Sequence, residues 1–176
     1  VFKAGEKEAR MSKAVSHNYQ DTAISGVTTL PLNRGLVNFG ADWKIKVQEP
    51  NEVITTNLTS PLGFPERFRF GISEVSDVYK GAGIDPGLYA PSRKGVSILC
   101  QLTDIWTVTE TTDASYQVAL PLSAHLVIKV PNNENITPGM IQSFVARMLS
   151  GLYETGSADT KRLAAMLRGS LAPSDL

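Results

Sequence analysis

Tyr116-Gln117-Val118-Ala119-Leu120-Pro121-Leu122-Ser123-Ala124-His125-Leu126-Val127-Ile128-Lys129-Val130-Pro131 is the stretch whose reading decides the fold. Its even-numbered residues are apolar from Tyr116 to Val130, while Gln117, Ala119, Pro121, Ser123, His125, Val127 and Lys129 fall between them, close to a strict alternation. That period of two marks a strand with one apolar and one wetter face. Pro131 and the polar run Asn132-Asn133-Glu134-Asn135 stop it. Thr137 then offers an N-cap and Pro138 a first helical residue. Met140, Ile141, Phe144, Val145, Met148, Leu149 and Leu152 follow at helical spacing, which predicts an amphipathic helix.

Working outward, the preceding residues read as more strands. Gly26–Leu32 and Leu36–Val47 read as a hairpin turned by Asn33-Arg34-Gly35. Trp43, Ile45 and Val47 are expected on one face of the second arm, with Lys44 and Lys46 on the other. Val53–Leu58 is a short β-branched strand after the turn at Pro50-Asn51. Arg67–Val75 alternates Phe68, Phe70 and Ile72 against Arg67, Arg69 and Ser73. Gly95–Thr109 carries an apolar phase through Val96, Ile98, Cys100, Leu102, Trp106 and Val108, broken by Asp104. Ser76–Lys94 is a long Gly-, Pro- and Tyr-rich connection, and Thr109–Ser115 a polar loop. Gly156-Ser157-Ala158-Asp159 breaks the chain and recaps a second helix to about Gly169, apolar at Leu163, Met166 and Leu167. Strands first and helices last argue an α+β fold with an antiparallel sheet. Two helices on a short tether can cover their own sheet or a neighbour's. Residues 1–25 read as an arm and 26–176 as one domain.

Composition narrows the function. The chain has 176 residues and 42% apolar content, enough for one domain with a core. Seventeen basic and 17 acidic residues give no net charge, so bulk electrostatics announce no nucleic-acid binder, although a local basic face remains open. Cys100 is alone, which excludes an intrachain disulfide, and its phase makes it a small hydrophobe rather than a reactive thiol. No run is apolar enough to span a membrane, and Val1–Arg10 has no secretory pattern. Lys7-Glu8 can be encoded as AAGGAG, a ribosome-binding sequence just before Met11. Val1–Arg10 therefore reads either as translated upstream sequence or as an ordinary arm.

Catalytic and metal chemistry finds little support. His17 lies in the arm, His125 lies mid-strand, and one cysteine cannot complete a zinc set. No nucleophile elbow is present. Lys80-Gly81-Ala82-Gly83-Ile84-Asp85-Pro86-Gly87 resembles a phosphate loop superficially but lacks the Gly-Lys-Ser/Thr ending. No cofactor is expected. Asp104 on an apolar phase reads as a perturbed carboxylate or a strand irregularity. The polar phase is the better candidate: Lys44, Lys46, Arg67, Arg69, Gln101, Thr103, His125 and Lys129 project opposite to their strands' apolar sets. In neighbouring strands they form one basic, hydrogen-bonding surface suited to RNA phosphates and unstacked bases. The plainer reading is a solvated outer face. A long late strand feeding a helix, with no catalytic group on either, points to a self-assembling shell protein rather than an enzyme.

Leu120–Pro131, the short polar loop and Met140–Tyr153 resemble the C-terminal half of the coat proteins of single-stranded RNA bacteriophages, the levivirus group. In that family a Leu-Pro-Val segment opens the last strand, as Leu120-Pro121-Leu122 does here, and the helix ends in a Leu-Gly-Leu-like segment, here Leu149-Ser150-Gly151-Leu152. The resemblance is good over Gly95–Gly169 and pattern-level over Gly26–Val75. It implies an N-terminal β-hairpin, a five-stranded antiparallel sheet and two C-terminal helices interlocking with a dimer mate. Ile141, Phe144, Val145, Met148, Leu149, Leu152, Leu163, Met166 and Leu167 would then form the dimer interface. Homodimers would tile an icosahedral shell around the viral genomic RNA, assembled in the bacterial host cytoplasm, with no membrane partner. The inner sheet face would bind RNA through Lys44, Lys46, Arg67, Arg69, Gln101, Thr103, Ser123, His125 and Lys129. A hairpin operator bound there would repress replicase translation. Thr109–Ser115 resembles the loop at the fivefold and quasi-sixfold axes, here without cysteine. The alternative is a cytosolic β-rich RNA-binding module that stays a small oligomer.

Overall fold

The computed structural model describes residues 15–110 and 115–170. The expectation for Val1–Arg10, and most of that for Thr109–Ser115, lie outside the described residues. The chain divides into two compact units, Leu36–Asn133 and the paired terminal segments Val1–Gly35 and Glu134–Leu176.

Leu36–Asn133 holds a five-stranded antiparallel sheet in the order β1-β2-β3-β4-β5. The strands are β1 (Trp43–Glu49), β2 (Glu52–Asn57), β3 (Arg67–Val75), β4 (Gly95–Thr109) and β5 (Gln117–Pro131). β3 and β4 fall where their alternation predicts. β4 and β5 pair from Gly95↔Pro131 to Thr109↔Gln117, so two 15-residue strands form one long ribbon. β5 is an edge strand of about 50 Å at 3.3 Å per residue. The N-terminal hairpin is β1–β2, turned at Pro50-Asn51.

Two expectations are corrected. Gly26–Leu32 forms no strand; Val27 N–H instead closes a turn on the Ile24 carbonyl at 3.1 Å, with Gly26 at φ 75°. Pro31, lacking an N–H, is a poor strand interior. The strand expected from Leu36 starts only at Trp43, because Asn38 caps a short helix α1 (Phe39–Asp42), its side chain accepting from Ala41 N–H at 3.2 Å. α1 lays Phe39 against Trp43, Phe68 and Phe70 at ring separations of 5.4, 5.5 and 5.8 Å. That aromatic row lies on the apolar face of the sheet.

In the second unit, α2 spans Pro138–Ser150 and α3 spans Lys161–Leu167. Thr137 caps α2 as expected, its Oγ1 accepting from Met140 N–H at 3.4 Å. The residue before α3 is Thr160 rather than Asp159. The N-terminal segment meets α2 at Arg147. The Arg147 guanidinium of α2 donates to both carboxylate oxygens of Asp21 and lies 3.9 Å from the Tyr19 ring centroid. Side-chain hydrogen bonding from Arg147 holds the Asp21 carboxyl below its ordinary value.

No apolar side chain among the described residues is fully buried. On α2 and α3, Phe144, Met148, Leu149, Leu163 and Leu167 are exposed, and Ile141, Val145 and Met166 half-buried; Leu152, expected in the helical stripe, lies half-buried in the turn after α2. A chain with this apolar content normally closes a core of its own.

Candidate nucleic-acid interface

Strand register assembles the polar phase into rungs that run across the sheet. One rung is Lys44–Thr56–Arg67–Thr103–Ser123, and the next holds Ile54–Arg69–Gln101–His125. A third, Ser73–Ser97–Lys129, lies further along the same face. Alternation fixes all of these on one side. Lys46, Arg67, Arg69, Gln101 and Thr103 line one open depression of about 370 Å³. Arg67, Thr103 and Ser123 line a second, about 580 Å³, toward the β2–β3 loop. Lys44 and His125 share the rungs but line neither hollow, and Lys129 lies apart from the arginines.

The register also corrects the reading of β1. Ile45 pairs with Thr55 but Val47 pairs with Ile54, so a β-bulge sits at Lys46. The extra residue turns Val47 over. Val47 therefore lies with Ile54 in the depression beside Lys46 rather than on the face of Trp43 and Ile45. Val47 and Ile54 give that hollow an apolar floor within reach of Arg67 and Arg69. Periodicity alone conceals this, since a bulge is set by cross-strand pairing.

Charge is segregated across the sheet. The polar face carries Lys44, Lys46, Arg67, Arg69 and Lys129 against Glu49 and Glu52. The opposite face carries only Glu74 and Asp104 among its strand residues. Glu52 is already paired with Arg69 Nε, which leaves Arg67 the freer arginine of the hollow. Asp104 has a local role: one carboxylate oxygen accepts from Ile105 N–H at 2.8 Å and the other from Trp106 Nε1–H at 2.7 Å. Cys100 is half-buried, and burial pushes its thiol up, away from reactive thiolate character. Among the described residues no three acidic, His or Cys side chains gather into a metal set.

The β3–β4 connection, residues 76–94, returns over the polar face. Val78 N–H donates to the Arg93 carbonyl at 2.9 Å, which closes the base of the loop. A Cβ placed on Gly95 would lie 2.4 Å from Val78 Cγ1, so only glycine admits the loop this close. Asp85 resolves the resemblance to a phosphate loop, because its carboxylate takes Gly87 N–H at 2.8 Å, where an anion would need free donors. The composition of residues 76–94 predicts a connection but not where it packs; the Tyr79, Tyr89 and Arg93 set is the only local sign of an ordered loop.

No protein-family model and no curated protein matches the sequence. Among solved structures, the virus-like particle of bacteriophage AVE015 matches at 33% identity and a TM-score of 0.82, over 94% of this chain and 100% of that one. The virus-like particle of bacteriophage GQ-112 shares the fold at 14% identity and a TM-score of 0.71, over 88% and 96% of the two chains.

Proposed function

The chain belongs to the coat proteins of bacteriophages that form virus-like particles, and from that premise we propose that it encloses a single-stranded RNA genome as interlocked homodimers. The observation that carries this reading is the two-sided sheet, with no apolar side chain fully buried among the described residues. The apolar face, the open β5 edge and the exposed stripe of α2 each need a partner surface. An open edge of 15 residues invites pairing with another chain. A second copy meeting it across a twofold axis continues the sheet and brings α2 and α3 onto the mate. Such obligate interfaces bury upwards of about 2,000 Å² and leave no stable folded monomer. Dimers of this kind tile a closed icosahedral shell with the cationic face inward.

That inward face then meets RNA. Lys44, Lys46, Arg67, Arg69 and Lys129 supply phosphate contacts, and Gln101, Thr103, Ser123 and His125 supply hydrogen bonds to bases. A genomic hairpin held there would repress replicase translation and mark the genome for packaging. The reading is tested by Arg67→Ala combined with Arg69→Ala. Particles of normal size in electron micrographs, with reduced RNA content, are the expected result. Two lost phosphate contacts lower the slope of log affinity against log salt by about 1.4 for a single strand. Most of that change should come from Arg67, since Arg69 is paired with Glu52. Unchanged RNA content in the double variant would leave the face merely solvated. A species of two chains and no particles would instead favour a small RNA-binding module.

A further inference from the structure

The loop of residues 76–94 closes a pocket of about 280 Å³ against the polar face of the sheet. Its walls are Val75, Val78, Tyr79 and Ile84 on one side and Lys129 and Pro131 of β5 on the other, with Lys80 at the rim. Lys129 is thus separated from the arginine hollow and joined to a cation from the loop. Asp77, also at the pocket, has its charge opposed by Arg93 at 3.9 Å, and its carboxylate accepts from Tyr79 N–H at 2.9 Å.

Tyr79 is held in place. Its ring stacks on Tyr89 at 4.1 Å and 15°, and Arg93 lies 5.1 Å from the centroid of Tyr89. Its hydroxyl oxygen accepts from Ala90 N–H at 2.8 Å. One aromatic face is therefore spent inside the loop and the ring is fixed before any ligand arrives, which lowers the ordering cost of binding. An aromatic and aliphatic wall beside two ammonium groups is the arrangement that single-stranded nucleic acid selects, with bases stacking on rings and phosphates tracking cations.

We propose that this loop pocket is a second nucleic-acid subsite, taking one unstacked nucleotide with its base against Tyr79, Ile84 and Pro131 and its phosphate toward Lys80 and Lys129. This rests on the reading that the polar face meets RNA. The loop makes that face a trough walled at one end, with the arginine hollow at the other. The pocket grips one nucleotide of a strand whose neighbouring phosphates lie along the sheet.

The test uses purified protein with a short oligouridine probe, followed by anisotropy across a salt titration. Lys80→Ala, an exposed position, is expected to lower the salt slope by about 0.7, the value of one phosphate contact on a single strand. Tyr79→Leu is expected to weaken binding roughly tenfold, as loss of one stacked base does. A probe carrying 4-thiouridine should crosslink to the peptide containing Tyr79. An unchanged slope in Lys80→Ala, beside the expected loss in the Arg67→Ala/Arg69→Ala variant, overturns the pocket and leaves the sheet reading standing. No change in either variant and no crosslink overturns both. Poor assembly by Lys80→Ala with normal probe binding assigns the loop to contacts between copies and also overturns the proposal.

Discussion

Replacing Gly95 by alanine should destabilise the sheet unit measurably, and the geometry says why. The added Cβ would lie 2.4 Å from Val78 Cγ1, 2.5 Å from the Val130 carbonyl oxygen and 3.3 Å from Pro131 Cα. Optimal carbon contacts lie near 3.5–4.0 Å, so each of the first two must open by about an ångström. Val78 can rotate away. The Val130 oxygen belongs to the β5 backbone, and Gly95 pairs with Pro131 and Val75 on its two sides, so relief there means moving a strand. Overpacking of this kind costs about 1–3 kcal/mol. At about 2–4 °C per kcal/mol for a chain of this size, the melting midpoint should fall by about 2–12 °C. Thermal unfolding by near-ultraviolet circular dichroism, at one fixed protein concentration, reads this directly. Adding Val78→Ala should recover only part of the loss, because the carbonyl clash persists. Gly139→Ala is the control: its Cβ meets nothing nearer than Thr137 Oγ1 at 4.0 Å, and a helical alanine gains up to about 1 kcal/mol. A Gly95→Ala protein within about 0.5 kcal/mol of the parent would refute the claim that the loop is pressed onto the strand at this point.

Phe144 is 64% exposed on α2, so Phe144→Asp is harmless to an isolated chain but buries an unpaired charge in the interlocked dimer, at a cost of several kcal/mol. Loss of soluble dimer in light scattering is expected, and a normal dimer counts against interlocked helices. The Arg147–Asp21 latch has a defined pH dependence. The Asp21 carboxyl is held below its ordinary 3.8, so the latch contributes fully above that value and is lost as pH falls through the lowered native one. An NMR titration of the Asp21 carboxyl carbon should give a midpoint under 3.8, and a midpoint at or above it removes the latch.

Much of the sheet was legible because local pattern and tertiary role agree. β3, β4 and β5 alternate closely, β4 with a single break at Asp104, and Thr137-Pro138 announces α2 by capping chemistry alone. The failures share one cause: they depend on which segments meet. Gly26–Leu32 has β-branched residues, and apart from Pro31 nothing in its own composition says that no strand pairs with it. The bulge at Lys46 is a property of the β1–β2 pairing, so it moved Val47 invisibly. Tyr19 and Asp21 sit in a segment without periodicity, and only Arg147, 126 residues from Asp21, gives them a role. Of the candidate site, the rungs of Arg67, Arg69, Gln101 and Thr103 were readable by phase, whereas the apolar floor and the loop wall were not.

The segregation of charge has a consequence for cargo. A neutral chain cannot offset a polyanion by its net charge. On the proposed reading it does so only by orientation, turning five cations and two carboxylates of its strands inward. So small a surplus per copy leaves most phosphates with their mobile counterions. The length of genome that fits is then governed by the ionic atmosphere inside the particle, and polyamines or divalent salts should alter filling more than any single coat substitution does.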